Sequence, residues 1–171
     1  MGNTFMYNLL KLSLICLCLL ICNIALADIS IPMYFTSQQG IGQPIGIIVA
    51  TQTSYGVLLT PNLHNLPSGL HGLHIHQNPS CLEKGMAAGD HFDPFHSNQH
   101  LGPYRKGHLG DLPVLEVDNN GNATLPILAP RLHLNEIKNR SLIIHAGSDN
   151  YSDIPQKLGG GGARIACGII K

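Results

Sequence analysis

This chain of 171 residues has few aromatic residues and no excess of either charge. Tryptophan is absent and aromatic residues make up 5% of the sequence, while ten Lys and Arg balance ten Asp and Glu. The zero net charge excludes a strong field of the kind that holds nucleic acid or an anionic membrane surface, so no nucleic-acid partner is expected. The length, with 44% hydrophobic residues, suffices for one domain with a core and excludes two large domains.

The one long apolar run lies near the N-terminus. It extends over residues 12–21 and is followed by a small-x-small cleavage site at residues 25–27. A membrane anchor is the competing interpretation, but the run is shorter than the roughly 18 to 20 apolar residues of a spanning helix, and Asn23 interrupts it. We therefore predict a secretory signal peptide over residues 1–27, cleaved after Ala27, and no membrane association of the mature protein.

Cysteine is scarce in the predicted mature chain. Three of the five cysteines leave with the signal peptide, and only Cys81 and Cys167 remain. Two cysteines in a protein exported to an oxidising compartment predict one disulfide. Two buried thiols are the alternative interpretation.

Residues 28–171 have the pattern of an all-β domain. Short runs rich in Ile, Val, Leu or Thr alternate with clusters of Gly, Pro and Asn, which predicts a sandwich or barrel. Residues 119–122 predict a hairpin turn, residues 131–140 allow a helical turn, and residues 78–112 predict a long functional loop. The predicted strands are residues 45–51, 55–60, 70–76, 114–118, 123–128, 141–146 and 163–170.

Histidine, by contrast, is abundant, with ten residues and none in the first sixty positions. Strand alternation puts His74 and His76 on one face, where both can bind one ion. Imidazole suits copper and zinc, and a carboxylate added to histidines suits zinc. A metal site explains the pattern better than satisfied or solvent-exposed histidines. The candidate ligands are His74, His76, His91, His96, His100, His108, Asp111 and His145.

Several motifs, in a fixed order, carry a more specific signal. They are GLHGLHIH at residues 69–76, NPSC at 78–81, HFDP at 91–94, HLGPY at 100–104, GHLGDLP at 107–113 and GGGGARIACG at 159–168. Over nearly all of its mature part, the chain resembles the copper/zinc superoxide dismutase family in its exported bacterial form. The resemblance implies a Greek-key β-sandwich or barrel, immunoglobulin-like, with long metal-binding loops.

The resemblance also implies a site for a copper ion and a zinc ion. His91 would bridge both ions as an imidazolate, and His100 is preferred to His96 because the family motif follows it. Asp149 would link a copper histidine to a zinc histidine, whereas His71 would have a structural role. The implied copper ligands are His74, His76, His91 and His145, and the implied zinc ligands are His91, His100, His108 and Asp111.

The activity implied by the resemblance is the disproportionation of superoxide to oxygen and hydrogen peroxide. His91 would deliver a proton, and Arg164 would attract the anion, so both are the expected catalytic residues. The alternative is a non-catalytic copper or zinc carrier, or an interaction domain of the same fold, which would be expected to lose a copper ligand or the arginine. Superoxide is the expected small-molecule partner, the exported form implies a periplasmic location, and a homodimer is allowed. Asp90 departs from the family, which usually has glycine or proline before the bridging histidine.

Overall fold

The polypeptide forms an antiparallel β structure. The computed structural model describes residues 28–171, and the predicted signal peptide at residues 1–27 lies outside the described residues. Among the described residues there are nine strands, two short 3₁₀ turns and no α-helix, which confirms the all-β prediction. Residues 28–171 contain no helix with the length and hydropathy of a membrane span. The strands are β1 Ile29–Ser37, β2 Gly40–Thr53, β3 Gly56–Leu63, β4 Gly69–His71, β5 Leu73–His76, β6 Leu115–Val117, β7 Ile127–Ala129, β8 Arg140–His145 and β9 Arg164–Ile170.

Seven of these strands form one curled sheet, in the order β5-β8-β9-β1-β2-β3-β7, and β4 pairs with β6 in a second sheet. Strands far apart in the sequence are neighbours, with β7 beside β3 and β9 beside β1. This connectivity is the Greek-key arrangement that the family resemblance implies.

The core is built from alternate residues of strands with one buried face, such as β1 and β3, and from β8, which is buried over most of its length. Ile31 and Met33 of β1, Ile48 of β2, Leu59 of β3 and Leu142 of β8 have no exposed surface. Burial of a side chain of this size contributes roughly 1.5 to 3 kcal/mol. The core therefore fixes β8 and its neighbours, which carry part of the metal centre.

Residues 69–76 connect the two sheets, because the predicted single strand breaks at Gly72 into β4 and β5. The Gly72 N–H donates to the carbonyl of Gly147 at 2.8 Å, and the His145 N–H donates to the carbonyl of Gly72 at 2.8 Å. A Cβ atom on Gly72 would lie 3.2 Å from Cε1 of His74. The missing side chain thus lets the chain change sheets close to the histidines.

Strand β1 is absent from the sequence prediction, which was wrong there. Pro32 interrupts the residue pattern, and proline is normally confined to strand edges because it lacks an N–H. Here β1 pairs with β9 only at Tyr34 and Phe35, so Pro32 lies outside that ladder. A central strand therefore tolerates this proline.

Three local predictions need correction. A turn forms at residues 119–122, where Oδ1 of Asp118 accepts N–H groups of Asn120 and Asn122 at 2.8 Å, but the flanking strands do not pair with each other. Instead β6 pairs with β4, and β7 pairs with β3. The strand predicted at residues 123–128 is reduced to β7, and residues 131–139 form turns without a helix before β8 begins.

The predicted long loop is confirmed. It connects β5 to β6 and contains a single 3₁₀ turn, Met86–Ala88. A disulfide joins Cys81 in this loop to Cys167 in β9, with the two Cα atoms 5.8 Å apart, as predicted. Both cysteines are buried. The bridge therefore anchors the first part of the loop to the sheet.

A second anchor holds the later part of the same loop. The Arg131 guanidinium donates to the carbonyls of Gly102 at 3.2 Å, Gly107 at 2.8 Å and His108 at 3.1 Å. One fixed fork of donors thereby orders a segment that has no regular secondary structure. No sequence motif marks Arg131 for this role.

Candidate metal centre

Six buried side-chain atoms of one cluster have no hydrogen-bond partner among the described residues. A buried polar atom without a partner costs about 1 to 3 kcal/mol. Six of them in one place indicate that a ligand supplies the missing interactions, and all six are atoms that bind metals. They are Nδ1 of His74, Nε2 of His76, Nδ1 of His100, Nδ1 of His108, Oδ2 of Asp111 and Nε2 of His145.

The first part of the cluster consists of four buried histidines. His74 and His76 project from β5, His145 ends β8, and His91 lies in the long loop beside His76. Ring centroids are 4.0 Å apart for His74 and His91, 4.9 Å for His76 and His91, and 4.7 Å for His74 and His145. One nitrogen from each ring lies within 4.8 Å of the others, which is close enough to bind one ion.

Carbonyl groups fix which nitrogen of each ring is free. Nδ1 of His76 donates to the carbonyl of Gly89 at 2.8 Å, and Nδ1 of His145 donates to the carbonyl of Gly162 at 3.1 Å. A carbonyl only accepts, so these nitrogens carry the protons and Nε2 of each neutral ring keeps its lone pair. The lone pairs are available to a metal ion.

The second part of the cluster surrounds Asp111. Its Oδ1 atom lies 2.9 Å from Nδ1 of His91, 3.0 Å from Nδ1 of His100 and 3.4 Å from Nδ1 of His108. All four side chains are buried or nearly so. Three imidazoles with one carboxylate form a donor set suited to tetrahedral zinc.

His91 is the residue placed to serve both parts. Its Nδ1 faces Asp111, and its Nε2 forms no hydrogen bond with any described residue. Around Asp111, the ligand atoms that lie within 4.8 Å of one another come from His74, His91, His100 and Asp111, so His74 takes the place of the predicted His108 in this group. His74 has only Nδ1 left, however, because its Nε2 donates to Oδ2 of Asp149 at 2.7 Å.

Asp149 connects the two parts through one carboxylate. Oδ2 accepts from Nε2 of His74 at 2.7 Å, and Oδ1 accepts from Nε2 of His100 at 2.8 Å. Burial acts to raise the pKa of Asp149, but the bonds from His100 and His74 hold it well below its ordinary value. The ionised carboxylate therefore fixes the tautomer and orientation of a histidine from each part.

Burial keeps the histidines of the first part neutral. It lowers the pKa of His74 to about 3 and that of His145 to about 4, and it lowers the pKa of His76 and of His91. A neutral imidazole is the form that binds metal ions. The site is thus prepared for a cation near neutral pH.

The group around Asp111 contains charged side chains instead of neutral ones. Burial acts to raise the pKa of Asp111, but contacts with His100, His108 and His91 hold it well below its ordinary value. Burial also acts to lower the pKa of His100, yet the carboxylates of Asp111 and Asp149 raise it to about 9. Binding of a metal ion by His100 would release this proton.

Gly159 and Asp153 support the site without being candidate ligands. A Cβ atom on Gly159 would overlap Oδ1 of Asp149 and Nε2 of His100, and its φ of +75° also favours glycine. Oδ2 of Asp153 accepts the backbone N–H of His100 at 2.9 Å. The glycine run signals such a close approach in the sequence, whereas Asp153 has no recognisable motif.

Arg164 lies next to the four-histidine group. It begins β9 and stands opposite His145 in the β8–β9 ladder. Its Nη1 donates to the carbonyl of Gly85 at 2.7 Å, and its Nη2 donates to the carbonyl of Gly89 at 2.8 Å. The half-buried guanidinium is therefore held beside the histidines by the loop that the disulfide anchors.

The remaining histidines do not join the cluster. His71 is buried, but both ring nitrogens are bonded, to the carbonyls of His145 at 2.7 Å and Pro67 at 2.8 Å. It therefore offers no free nitrogen. His64, His96 and His133 are exposed.

The donor chemistry agrees with copper and zinc. Imidazole nitrogens suit both ions, and four of them without a carboxylate are a typical copper environment. Calcium and magnesium prefer oxygen ligands, of which this cluster offers only the carboxylate of Asp111 among its unpartnered atoms. The residues present therefore fit a copper ion beside a zinc ion.

Comparison with known proteins gives a consistent result. The family model for copper/zinc superoxide dismutase (SODC) matches residues 45–170. The Cu-Zn superoxide dismutase of Legionella pneumophila is 53% identical over 144 residues, which cover 84% of this chain and 87% of that protein. The solved Cu/Zn superoxide dismutase from Brucella abortus has a TM-score of 0.81 at 43% identity, covering 85% of this chain and 100% of that chain. The monomeric enzyme from Salmonella enterica has a TM-score of 0.75 at 50% identity, with the same coverage.

A Greek-key β-barrel that buries two overlapping groups of histidine and aspartate side chains able to hold metal ions defines a copper- and zinc-binding metalloprotein. The chain belongs to the copper/zinc superoxide dismutase family. It is an oxidoreductase of that class, with copper and zinc as cofactors, as the sequence predicts.

Removal of the metals should destabilise the fold, because the six unpartnered buried atoms then lose their ligands. For metal at about 100 times its Kd, the loss is about 2.7 kcal/mol, or roughly 10 °C in Tm for a domain of this size. Calorimetry before and after treatment with a chelator measures it. Zinc and copper should restore the Tm and magnesium should not. Equal Tm values with and without metals would contradict the assignment.

Proposed function

We propose that the four-histidine group binds copper, that the group around Asp111 binds zinc, and that His91 is shared by both. The observation that carries this proposal is the position of His91, with Nδ1 facing Asp111 and Nε2 unpaired near the other histidines. The proposed copper ligands are His74, His76, His91 and His145, and the proposed zinc ligands are His91, His100, His108 and Asp111.

The proposed reaction is the disproportionation of superoxide to oxygen and hydrogen peroxide. When bound, copper supplies the one-electron redox chemistry, whereas zinc has none and contributes charge and geometry. The protein holds the copper histidines in one tautomer through Gly89, Gly162 and Asp149. Fixed ligands reduce the reorganisation that accompanies each electron transfer.

His91 is proposed to hold the proton that the product requires. Nδ1 is engaged on the zinc side, so Nε2 is the nitrogen that can gain and lose a proton. Burial lowers the pKa of His91, which favours release of a proton to an anion at the site.

Arg164 is proposed to attract superoxide. The guanidinium stays positive at all relevant pH values, and two carbonyl groups hold it next to His145. A fixed positive charge at the site increases encounters with a small monoanion when diffusion limits the rate. A non-catalytic carrier is less well supported, because every expected ligand and the arginine are present.

Export to the periplasm belongs to the same proposal. The disulfide between Cys81 and Cys167 supports it, because such bridges persist in oxidising compartments. The mature chain would then be residues 28–171. A homodimer stays a prediction of the sequence, whereas the relative from Salmonella enterica is monomeric.

Substitution of the shared histidine tests the two-metal assignment. His91→Ala should lower zinc affinity by more than the roughly 10- to 100-fold typical of residues outside the ligand set, and should change the copper absorption and spin-resonance spectra as well. Metal analysis with both spectra measures the effects. His96→Ala, in the same loop but exposed, is the matched control and should leave both unchanged. Retention of zinc and an unchanged copper spectrum in His91→Ala would contradict the shared role.

Charge variants of Arg164 separate anion capture from metal binding. Arg164→Ile should reduce kcat/KM for superoxide about 10-fold or more at low ionic strength, and Arg164→Glu should reduce it further, because repulsion replaces attraction. Arg164→Lys keeps the charge and should lose less. The differences should narrow as salt screens the charges. Pulse radiolysis at several ionic strengths measures these rates, and the metal content of each variant is the control. Equal rates for all variants at low salt would disprove the role of Arg164 in anion capture.

Processing of the N-terminus can be tested directly. Protein recovered from the periplasmic fraction should begin at Asp28, as measured by intact mass spectrometry. Ala27→Arg should block cleavage, because the peptidase site requires a small residue. A periplasmic product that begins elsewhere would refute the predicted boundary.

A further inference from the structure

A cavity of 460 Å³ lies beside His91 and His108, and its lining is rich in carboxylates. Three carboxylate residues, Asp90, Asp93 and Asp153, line it together with Lys157. Carboxylates this close to His91 would repel a monoanion that approaches the proposed copper site, unless their charges are used within the fold.

Two of these carboxylates have structural roles. Asp93 accepts the backbone N–H of Asn98 at 2.8 Å and the hydroxyl of Ser97 at 3.1 Å. Asp153 accepts the backbone N–H groups of His100 and Leu158. Both carboxylates therefore accept hydrogen bonds that order the loops near the proposed zinc ligands.

Asp90 differs from both. Its carboxylate is exposed and forms no hydrogen bond or ion pair with any residue of the described range 28–171. Its backbone is nevertheless fixed, because its carbonyl accepts the N–H of Gln77 at 3.0 Å. The charge thus has a defined position and no partner within the fold.

Along the chain, Asp90 is next to both the proposed bridging histidine and the backbone that holds Arg164. Asp90 directly precedes His91, and the preceding carbonyl, that of Gly89, accepts the Arg164 guanidinium at 2.8 Å. The charge of Asp90 also acts to raise the pKa of Arg164, although the larger effect, burial, lowers it. The carboxylate therefore acts on the same guanidinium that would attract the substrate.

We propose that Asp90 weakens the capture of small anions by Arg164 at this site. The inference rests on the proposed function of Arg164 and His91. A negative charge here partly cancels the field of the guanidinium and repels superoxide and other monoanions alike. Asp90 would consequently weaken the binding of inhibitory anions to the site, and at low ionic strength it would lower the kcat/KM for superoxide.

Neutralisation of this charge without a change of shape provides the test. Asp90→Asn should raise kcat/KM for superoxide about two- to threefold at low ionic strength, as expected for one unit charge within roughly a nanometre of the path in a watery environment. It should also tighten the binding of azide, a monoanion probe, to the copper-loaded protein by a similar factor. Both effects should vanish in salt of about 0.5 M, where the Debye length is only a few ångströms.

The matched control is Glu116→Gln. Glu116 is an exposed carboxylate on β6 in the second sheet, and its neutralisation removes the same net charge without touching the cavity. It should change neither the rate nor the azide affinity. Pulse radiolysis gives the rate, and titration of the copper absorption spectrum with azide gives the affinity without turnover.

Failure of this proposal differs from failure of the proposed function. If the wild type turns over superoxide but Asp90→Asn matches it in rate and in azide affinity, the role of Asp90 is wrong and the function stands. Equal gains in Asp90→Asn and Glu116→Gln would likewise refute it, because overall charge would then be the cause. If the metal-loaded wild type has no activity, the proposed function fails, and the azide titration still decides whether Asp90 weakens anion binding.

Discussion

The carboxylate of Asp149 is the contact on which the metal centre depends. It joins His74, which is held rigidly in β5, to His100, which lies in a loop without regular structure. Because both oxygens accept short bonds from buried imidazoles, one side chain sets the tautomer and direction of a ligand on each side. The absence of a side chain at Gly159 makes room for this contact. The sheet thereby imposes its geometry on the loop.

Burial makes the centre selective as well as rigid. It keeps His74, His76 and His145 neutral, so near pH 7 no proton occupies their free nitrogens and the lone pairs remain available to a cation. The unpaired atoms are costly in the absence of metal, which couples metal binding to folding. Arginines reinforce the loops from outside, with Arg131 bonded to the later part and Arg164 to the part near the disulfide.

Much of the architecture was predictable from local patterns. Short runs rich in Ile, Val, Leu or Thr, bounded by Gly, Pro and Asn clusters, predicted β2, β3, β8 and β9. The prediction missed β1, which contains Pro32, and failed at Gly72, where one predicted run belongs to two sheets. The turn at residues 119–122 was visible in its residues, but its flanking strands pair elsewhere. Strand partners depend on contacts distant in the sequence, which local composition does not encode.

The sequence by itself determined the class of fold, the metal chemistry and the set of residues available for it, because histidine and aspartate side chains carry their chemistry wherever they lie. Only the tertiary structure decided which ring nitrogen of each ligand is free, that both ring nitrogens of His71 are bonded, and that the exposed Asp90 lines a cavity beside His91. These distinctions are matters of distance and direction between residues far apart in the chain. They exist only after the sheet and the disulfide have brought the loop against β9.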